Sequence, residues 1–262
     1  MRIIVCIKQV PGTNNVLLNP ETGTMLRSSA KGKLNPFDLF AIEQALALRA
    51  CFGGSVTALA MGPAQAENSL REALYMGADE AYLLCDRALI GSDVLATSHA
   101  LSQAILRIGM PDLILCGKQT TDGDTAQVGP EIAEMLGIAH VANVTQIEAH
   151  SSGALHVTAA LEGCDCKYRL EPPFLACMEK DANTPRLPSY RRKKEMEAQS
   201  VQLLPLSNLM DADPAHYGMQ GSPTRVVRVF APEHKETRRF LEGSAQAMAE
   251  AMLGILKEEK IV

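Results

Sequence analysis

The chain has 262 residues, 47% apolar and 21% charged, with Gly 19 and Pro 14, a globular composition outside the collagenous, disordered and coiled-coil ranges. Its net charge of −5 argues against nucleic acid as a partner, because duplex binding is driven by phosphate neutralisation. The longest apolar runs, Ile3 to Ile7 and Leu113 to Cys116, fall far short of the ~20 residues that cross a bilayer, so no membrane insertion is expected.

Met1 to Lys8 has an apolar stretch that stops at Lys8 with no small-residue cleavage site after it, so it reads as a first strand and not as a signal peptide. Arg2 to Ile7 has the β-branched character of a strand buried on both faces. A polar stretch follows to Lys33, and Asn35-Pro36 then supplies an N-cap and a first-turn proline. Ile42, Ala45, Leu46 and Leu48 continue at helical spacing. Val56 to Met61 reads as a second strand, broken by Gly62-Pro63, and Ala64 to Met76 as a helix stopped by Gly77. Glu80 to Cys85 is a third strand. Ser92 can cap a helix from Asp93 to about Arg107, with Leu101, Ile105 and Ile108 on its buried stripe. Leu113 to Cys116 is a fourth strand, ended by Gly117, and Ala126 to Leu136 is a helix closed by Gly137. Such alternation predicts an α/β fold: a doubly wound, mostly parallel sheet with helices on both faces.

Beyond Gly137 the rhythm changes. Asn143 to Glu148, Ala154 to Glu162 and Lys167 to Leu170 read as consecutive strands, the first two joined at Ser151-Ser152-Gly153, and Phe174 to Met178 as one more. From about Pro205 to His234 no period holds, and Pro205, Pro214, Pro223 and Pro232 interrupt the chain. A helical pattern, Ala245 to Leu256, comes last. We therefore expect a domain over 1–204 and an arm with a helix over 205–262 that is either disordered or laid on a partner.

Seven cysteines, at 6, 51, 85, 116, 164, 166 and 177, form no Cys-x-x-Cys pair and read as reduced thiols in a cytoplasm. Cys164 and Cys166 are the tight pair, two thiols on one strand face at a spacing unusual for zinc. Six histidines lie scattered without a ligand motif, so no metal is expected. Doubly wound sheets bind ligands at strand carboxyl ends, which here means Lys8 to Pro11, Met61 to Ala64, Gly91 to Asp93 and Gly117 to Pro130. The last loop joins glycines to a helix start, with Thr125 and the first helical amides as phosphate donors and with Asp122 and Asp124 as ribose or capping partners. Asp93, Thr97 and Ser98 repeat the design on the neighbouring helix. There is no Gly-x-Gly-x-x-Gly, no P-loop and no nucleophile–base constellation. The chain reads as a cofactor holder with no catalytic residue of its own.

Ile7-Lys8-Gln9-Val10-Pro11, Asn35-Pro36-Phe37-Asp38, Gly62-Pro63-Ala64 with Gly77-Ala78-Asp79, and Gly117-Lys118-Gln119 through Gln127 together resemble the beta subunit of electron transfer flavoproteins over most of residues 1–200. That resemblance implies an α/β domain holding an adenine nucleotide, paired with an FAD-bearing alpha subunit that the last ~60 residues embrace. It implies a nucleotide site lined by Cys6, Asn35, Pro36, Phe37, Asp38, Met61 and Gly123 to Pro130, the last stretch including Asp124, Thr125, Ala126, Gln127 and Val128. Asn183 to Tyr190, followed by Arg191-Arg192-Lys193-Lys194, is similar to the family's recognition segment, in which Leu187 or Tyr190, beside Pro188, would enter an acyl-CoA dehydrogenase or reductase. Two subclasses exist. Shuttle members hold AMP, whereas bifurcating members hold a second FAD that takes hydride from NADH and divides the electrons between ferredoxin and the alpha-subunit FAD. Ser92 to Ser98 and Asp122 to Gln127 resemble the bifurcating pattern, with Asp93, Thr97 and Ser98 contacting the longer cofactor. Ala159-Ala160 and Cys164-Asp165-Cys166 depart from it. A stand-alone nucleotide sensor is the third reading, and it would need no C-terminal extension.

Overall fold

Five consecutive buried residues, Ile3 to Ile7, make β1 (Arg2–Ile7) an interior strand of the sheet, with Ile3, Val5 and Ile7 facing one helical layer and Ile4 and Cys6 the other. The computed structural model describes residues 1–12, 32–149, 153–227 and 240–261. After β1 come β2 (Gln9–Pro11), β3 (Gly32–Leu34), α1 (Pro36–Phe52), β4 (Ser55–Met61), α2 (Glu67–Met76) and β5 (Glu80–Leu84). Then follow α3 (Val94–Ile108), β6 (Leu113–Gly117), α4 (Val128–Leu136), β7 (Ala139–Ala149), β8 (Leu155–Leu161), β9 (Cys164–Leu170) and β10 (Phe174–Met178). The chain continues through α5 (Tyr190–Glu195), β11 (Gln202–Leu204), α6 (Gly218–Gly221) and α7 (Ala245–Glu258).

Nine strands form one sheet in the order β11-β5-β4-β1-β6-β10-β7-β8-β9. Strands β11 to β7 of that order are parallel, while β8 and β9 extend it antiparallel. Helices α1 and α2 pack with β1 on one face, α3 and α4 on the other, so the doubly wound α/β expectation holds. The small β2–β3 ribbon lies outside this sheet, and neither it nor β11 was readable as a strand, because three residues carry no period.

Several boundaries move for local reasons. Asn35 stands at the N-cap position of α1 but makes no side-chain capping bond; its amide is used elsewhere. The cap of α3 is Asp93, not Ser92: its carboxylate accepts the Ala96 N–H at 3.0 Å. Helix α4 starts at Val128 and not at Ala126, because Asp124 and Ala126 both hold φ of 55°, which no right-handed helix contains. Gly137 ends it in the left-handed conformation at φ 65°. Ala64 to Ala66 is a tight 3₁₀ turn that precedes α2. Residues 151 and 152 of the expected turn lie outside the described residues, although the flanking strands pair antiparallel from Ala149↔Leu155. The thiols of Cys164 and Cys166 share a strand face as expected, 3.9 Å apart.

The compact unit continues to Val227, past the expected division at 204/205. Leu206, Leu209 and Tyr217 are buried in the α3/α4 layer, inserted by 3₁₀ turns at Leu206–Asn208 and Pro214–His216. Three isolated anchors on short turns leave no periodic trace, which is why the segment reads as aperiodic. Pro232 lies outside the described residues. The second unit, Arg228–Val262, contains α7, capped by Ser244, whose Oγ accepts the Ala247 N–H at 3.2 Å.

Candidate functional site

From β1 the chain passes through α1 to β4 on one side, and later returns through α3 to β6 on the other. The carboxyl ends of β1 and β6 therefore border the crevice where the winding reverses, the usual ligand position of such sheets. Asn35, with 0% exposure, and Asp38, with 4%, form its floor. The Lys8 N–H donates to Asp38 Oδ2 at 2.7 Å, and Asn35 Nδ2 donates both to Asp38 Oδ1 and to the Gln119 carbonyl at 2.9 Å. Asn35 Oδ1 in turn accepts the Thr121 N–H at 3.3 Å. One buried amide thus ties the β1 end, the α1 start and the loop after β6 together, and that is why it is not available for capping. Pro36 opens α1, and the Phe37 backbone packs against Gly117 so closely that a Cβ on Gly117 would stand 2.7 Å from Phe37 C and 2.5 Å from Asp38 Oδ1. Burial pushes the Asp38 carboxyl up to about 7; the Lys8 amide, the Asn35 amide, the Gly117 amide and the Lys8 charge all work against that rise.

The loop from Gly117 to Pro130 is held at its root and open at its tip. Lys118 Nζ pairs with Glu179 at 2.7 Å, Lys8 Nζ with Asp122 at 2.8 Å, and Gln119 Nε2 donates to Asp124. Burial raises the Asp122 carboxyl, but the Lys8 hydrogen bond and charge outweigh it and leave it below its ordinary value. Gly123, Asp124, Thr125, Ala126 and Gln127 are exposed, and Val128 is half-buried. Positive φ at Ala126 followed by right-handed Gln127 is the backbone step from which anion-binding nests are built, while the Asp124 N–H is taken by Thr120 O at 3.0 Å. No side chain caps α4, so its first amides remain free, and the Glu131 Oε2 in that first turn is buried with no partner. Free amide donors at a positive helix end and an unmet acceptor suit a phosphate carrying a sugar.

The thiols form the layer beneath. Cys6, Cys116 and Cys177 are buried and in register across β1, β6 and β10, and a Cβ on Gly129 of α4 would stand 2.5 Å from Cys177 Sγ. Burial drives the Cys177 thiol up to about 12, and the hydrogen bond with Cys6 together with burial raises the Cys116 thiol. Met61, half-buried at the end of β4, packs on the same layer.

Asp93, Thr97 and Ser98 have different surroundings. Asp93 is not free: besides Ala96 it accepts from the Thr224 N–H at 3.0 Å and hydroxyl at 2.8 Å, and its own N–H donates to Ser222 Oγ at 2.8 Å. Ser98 is fully buried, its hydroxyl donating to Val94 O at 2.8 Å and lying 3.4 Å from Val128 O. That contact sets the second turn of α3 beside the first turn of α4; Thr97, the residue before Ser98, is half-buried. Lys8 and Gly117 open two of the expected ligand loops but were given no role of their own, and Glu131 lay outside the expected residues. Gly117 carried a signal as a glycine closing a buried strand and Lys8 as the first residue past β1; Glu131 carried none.

The expected recognition segment is pinned at both ends. Asn183 Nδ2 donates to Phe40 O at 3.0 Å, and Arg186 grips Glu43 through two 2.8 Å bonds. The Ser189 N–H donates to Tyr75 O at 3.0 Å, and the Arg192 guanidinium donates to Leu74 O in the last turn of α2 and to Gly77 O and Ala78 O just beyond it. The basic run is therefore only partly solvent-directed: Arg192 is a clamp. Between the pins Leu187 is 86% exposed and Tyr190 72%, with Pro188 exposed between them.

The electron transfer flavoprotein domain model matches residues 22–204. The electron transfer flavoprotein subunit beta of Thermoanaerobacterium thermosaccharolyticum is 41% identical over 268 residues, covering 100% of both chains. Protein FixA of Sinorhizobium fredii is 45% identical over 248 residues, 91% of this chain and 86% of its own. The caffeyl-CoA reductase-Etf complex subunit CarD of Acetobacterium woodii is 39% identical over 264 residues, covering 100% of both chains. A crevice at the strand carboxyl ends with an uncapped helix start agrees with these matches, and the chain belongs to the electron transfer flavoprotein family, among its beta subunits.

Proposed function

We propose that this chain is the beta subunit of a cytoplasmic heterodimer that holds FAD in the β1/β6 crevice and oxidises NADH by electron bifurcation. FAD, when bound, supplies an acceptor for the two electrons of the hydride, one passing to ferredoxin and one to the FAD of the alpha subunit, which serves an acyl-CoA dehydrogenase or reductase. The observation that carries this reading is the 3.4 Å approach of Ser98 Oγ to Val128 O, which sets α3 against the uncapped start of α4. A dinucleotide needs phosphate donors and a second polar anchor side by side, and Thr97, next to Ser98 on α3, would supply that anchor. The α4 amides and the backbone step at Ala126 and Gln127 would hold phosphate, Glu131 would accept a sugar hydroxyl, and the buried Asn35–Asp38 pair would keep both loops at the crevice. The reductase complex named for the Acetobacterium woodii relative supports a CoA-thioester reductase as the electron partner.

One observation favours the AMP reading: the Asp93 carboxylate already has three donors of its own chain, which leaves it less to offer a longer cofactor. A cofactor count on the purified αβ complex separates the two. Denaturation and quantification should yield two FAD and no AMP per complex; one FAD with one AMP would overturn bifurcation and make this chain a scaffold.

Leu187 would be the docking anchor, because the pins on both sides hold it out at little entropic cost. Leu187→Ala should lower kcat/KM for electron exchange with the partner dehydrogenase by about 30-fold, a hot-spot loss of about 2 kcal/mol, with cofactor content unchanged. Tyr190→Ala producing the larger loss would move the anchor to Tyr190.

A further inference from the structure

Among the described residues, one cluster outside the crevice has metal-binding chemistry. His99 on α3 and His216 and Asp211 on the segment after β11 bring their ligand atoms within 4.8 Å of one another. His99 Nε2 lies 3.0 Å from Asp211 Oδ2, and His216 Nδ1 lies 2.7 Å from the same oxygen. Three donors from two segments thus meet at one point, although 112 residues separate His99 from Asp211.

The supports of the cluster are those of a built site. The Asp213 N–H donates to Asp211 Oδ1 at 3.1 Å, leaving Oδ2 to face the imidazoles. The Asp211 N–H donates to Gln103 Oε1 on α3 at 3.2 Å, and the Tyr217 hydroxyl donates to the Asp211 carbonyl at 2.5 Å. The Tyr217 ring, nearly wholly buried, lies 5.1 Å from that of His99 and limits its rotation. Such outer contacts orient ligands around a metal. On the open side the His216 side chain is 58% exposed, which leaves room for water ligands.

We propose that His99, Asp211 and His216 form a binding site for a divalent transition metal of the zinc class, clasping the segment 206–217 onto α3. Two imidazoles and one carboxylate match the ligand preference of zinc, cobalt and nickel and disfavour magnesium and calcium, which take oxygen ligands. Metal bonds of about 2.0–2.2 Å require the imidazoles to draw back only slightly from Asp211. Position gives the site its consequence: the same segment ends at Ser222 and Thr224, which hold Asp93 at the start of α3. A metal would therefore stiffen the strap that fixes one wall of the crevice, whichever nucleotide the crevice holds.

The test is titration of the purified complex with zinc chloride by calorimetry, with cobalt(II) as the spectroscopic probe and magnesium as the control. One zinc per copy of this chain is expected, with a nitrogen/oxygen cobalt spectrum and no magnesium uptake. Affinity should fall at least about tenfold in His216→Ala, an exposed position that leaves the fold intact. Zinc should also slow amide exchange over 211–217 in the parent and not in His216→Ala. The competing ligand pair is Cys164–Cys166, so the double variant Cys164→Ser/Cys166→Ser should bind zinc as the parent does. No zinc uptake, uptake unchanged in His216→Ala, or a thiolate charge-transfer band with cobalt would overturn the proposal.

Discussion

Gly117→Ala should destabilise the protein by on the order of 3 kcal/mol and lower its melting temperature by roughly 6–12 °C. The added Cβ would stand 2.5 Å from Asp38 Oδ1, 2.7 Å from Phe37 C and 2.8 Å from Phe37 Cβ. Neither neighbour can yield. Asp38 is held by Lys8 and Asn35, and Phe37 belongs to the first turn of α1. The loss should extend to nucleotide retention, because the displaced Asn35–Asp38 pair also anchors the loop carrying Gly123 to Gln127. Gly123→Ala is the control: its Cβ would meet only Thr120 Oγ1, at an ordinary 3.4 Å, and should change stability by less than about 0.5 kcal/mol. Thermal denaturation of both variants checks the contrast. A Gly117→Ala protein as stable as the parent would mean that α1 and β6 are not locked together at the crevice floor.

The second large effect lies in pH. An unfolded chain ionises Asp38 near 3.8, whereas burial in the fold raises it to about 7. Between those values the folded protein binds the extra proton, so this carboxyl lowers stability as pH rises from about 4 to about 7. At 1.36 kcal/mol per unit the cumulative loss is on the order of 4 kcal/mol. Asp38→Asn cannot ionise and should flatten the stability profile by up to about 1.4 kcal/mol per pH unit within that window. The asparagine also turns an N–H₂ toward one of the donors at Lys8 or Asn35, a cost that shifts the whole profile without tilting it. Denaturant unfolding at several pH values separates slope from offset. An unchanged slope in Asp38→Asn would show that other groups carry the titration.

Both effects depend on contacts between segments far apart in sequence, and they mark how far the sequence could be read. β1, β4 and β6 were legible because each is a short apolar run closed by a turn or glycine, and α1 to α3 because their apolar residues recur at helical spacing. The loop at 117–130 was legible as a phosphate candidate from its glycines and following helix. The α4 start was misplaced by two residues, because nothing in Asp124 or Ala126 announces a left-handed backbone. The ribbon β2–β3 and strand β11 were too short to show alternation. The segment after 204 hid its order because Leu206, Leu209 and Tyr217 enter the core singly.

The α/β alternation, the candidate cofactor loops and the family resemblance are legible in the sequence alone, since these rest on local patterns of burial, turn chemistry and residue type. Only the tertiary structure decided which polar groups meet. It sent the Asn35 amide to Asp38 and Gln119, occupied Asp93 with Thr224, made a clamp of Arg192, and gathered His99, Asp211 and His216. The physical reason is range: hydrophobic period is written every two to four residues, whereas a buried polar atom takes whatever partner the packed layers bring within hydrogen-bond distance.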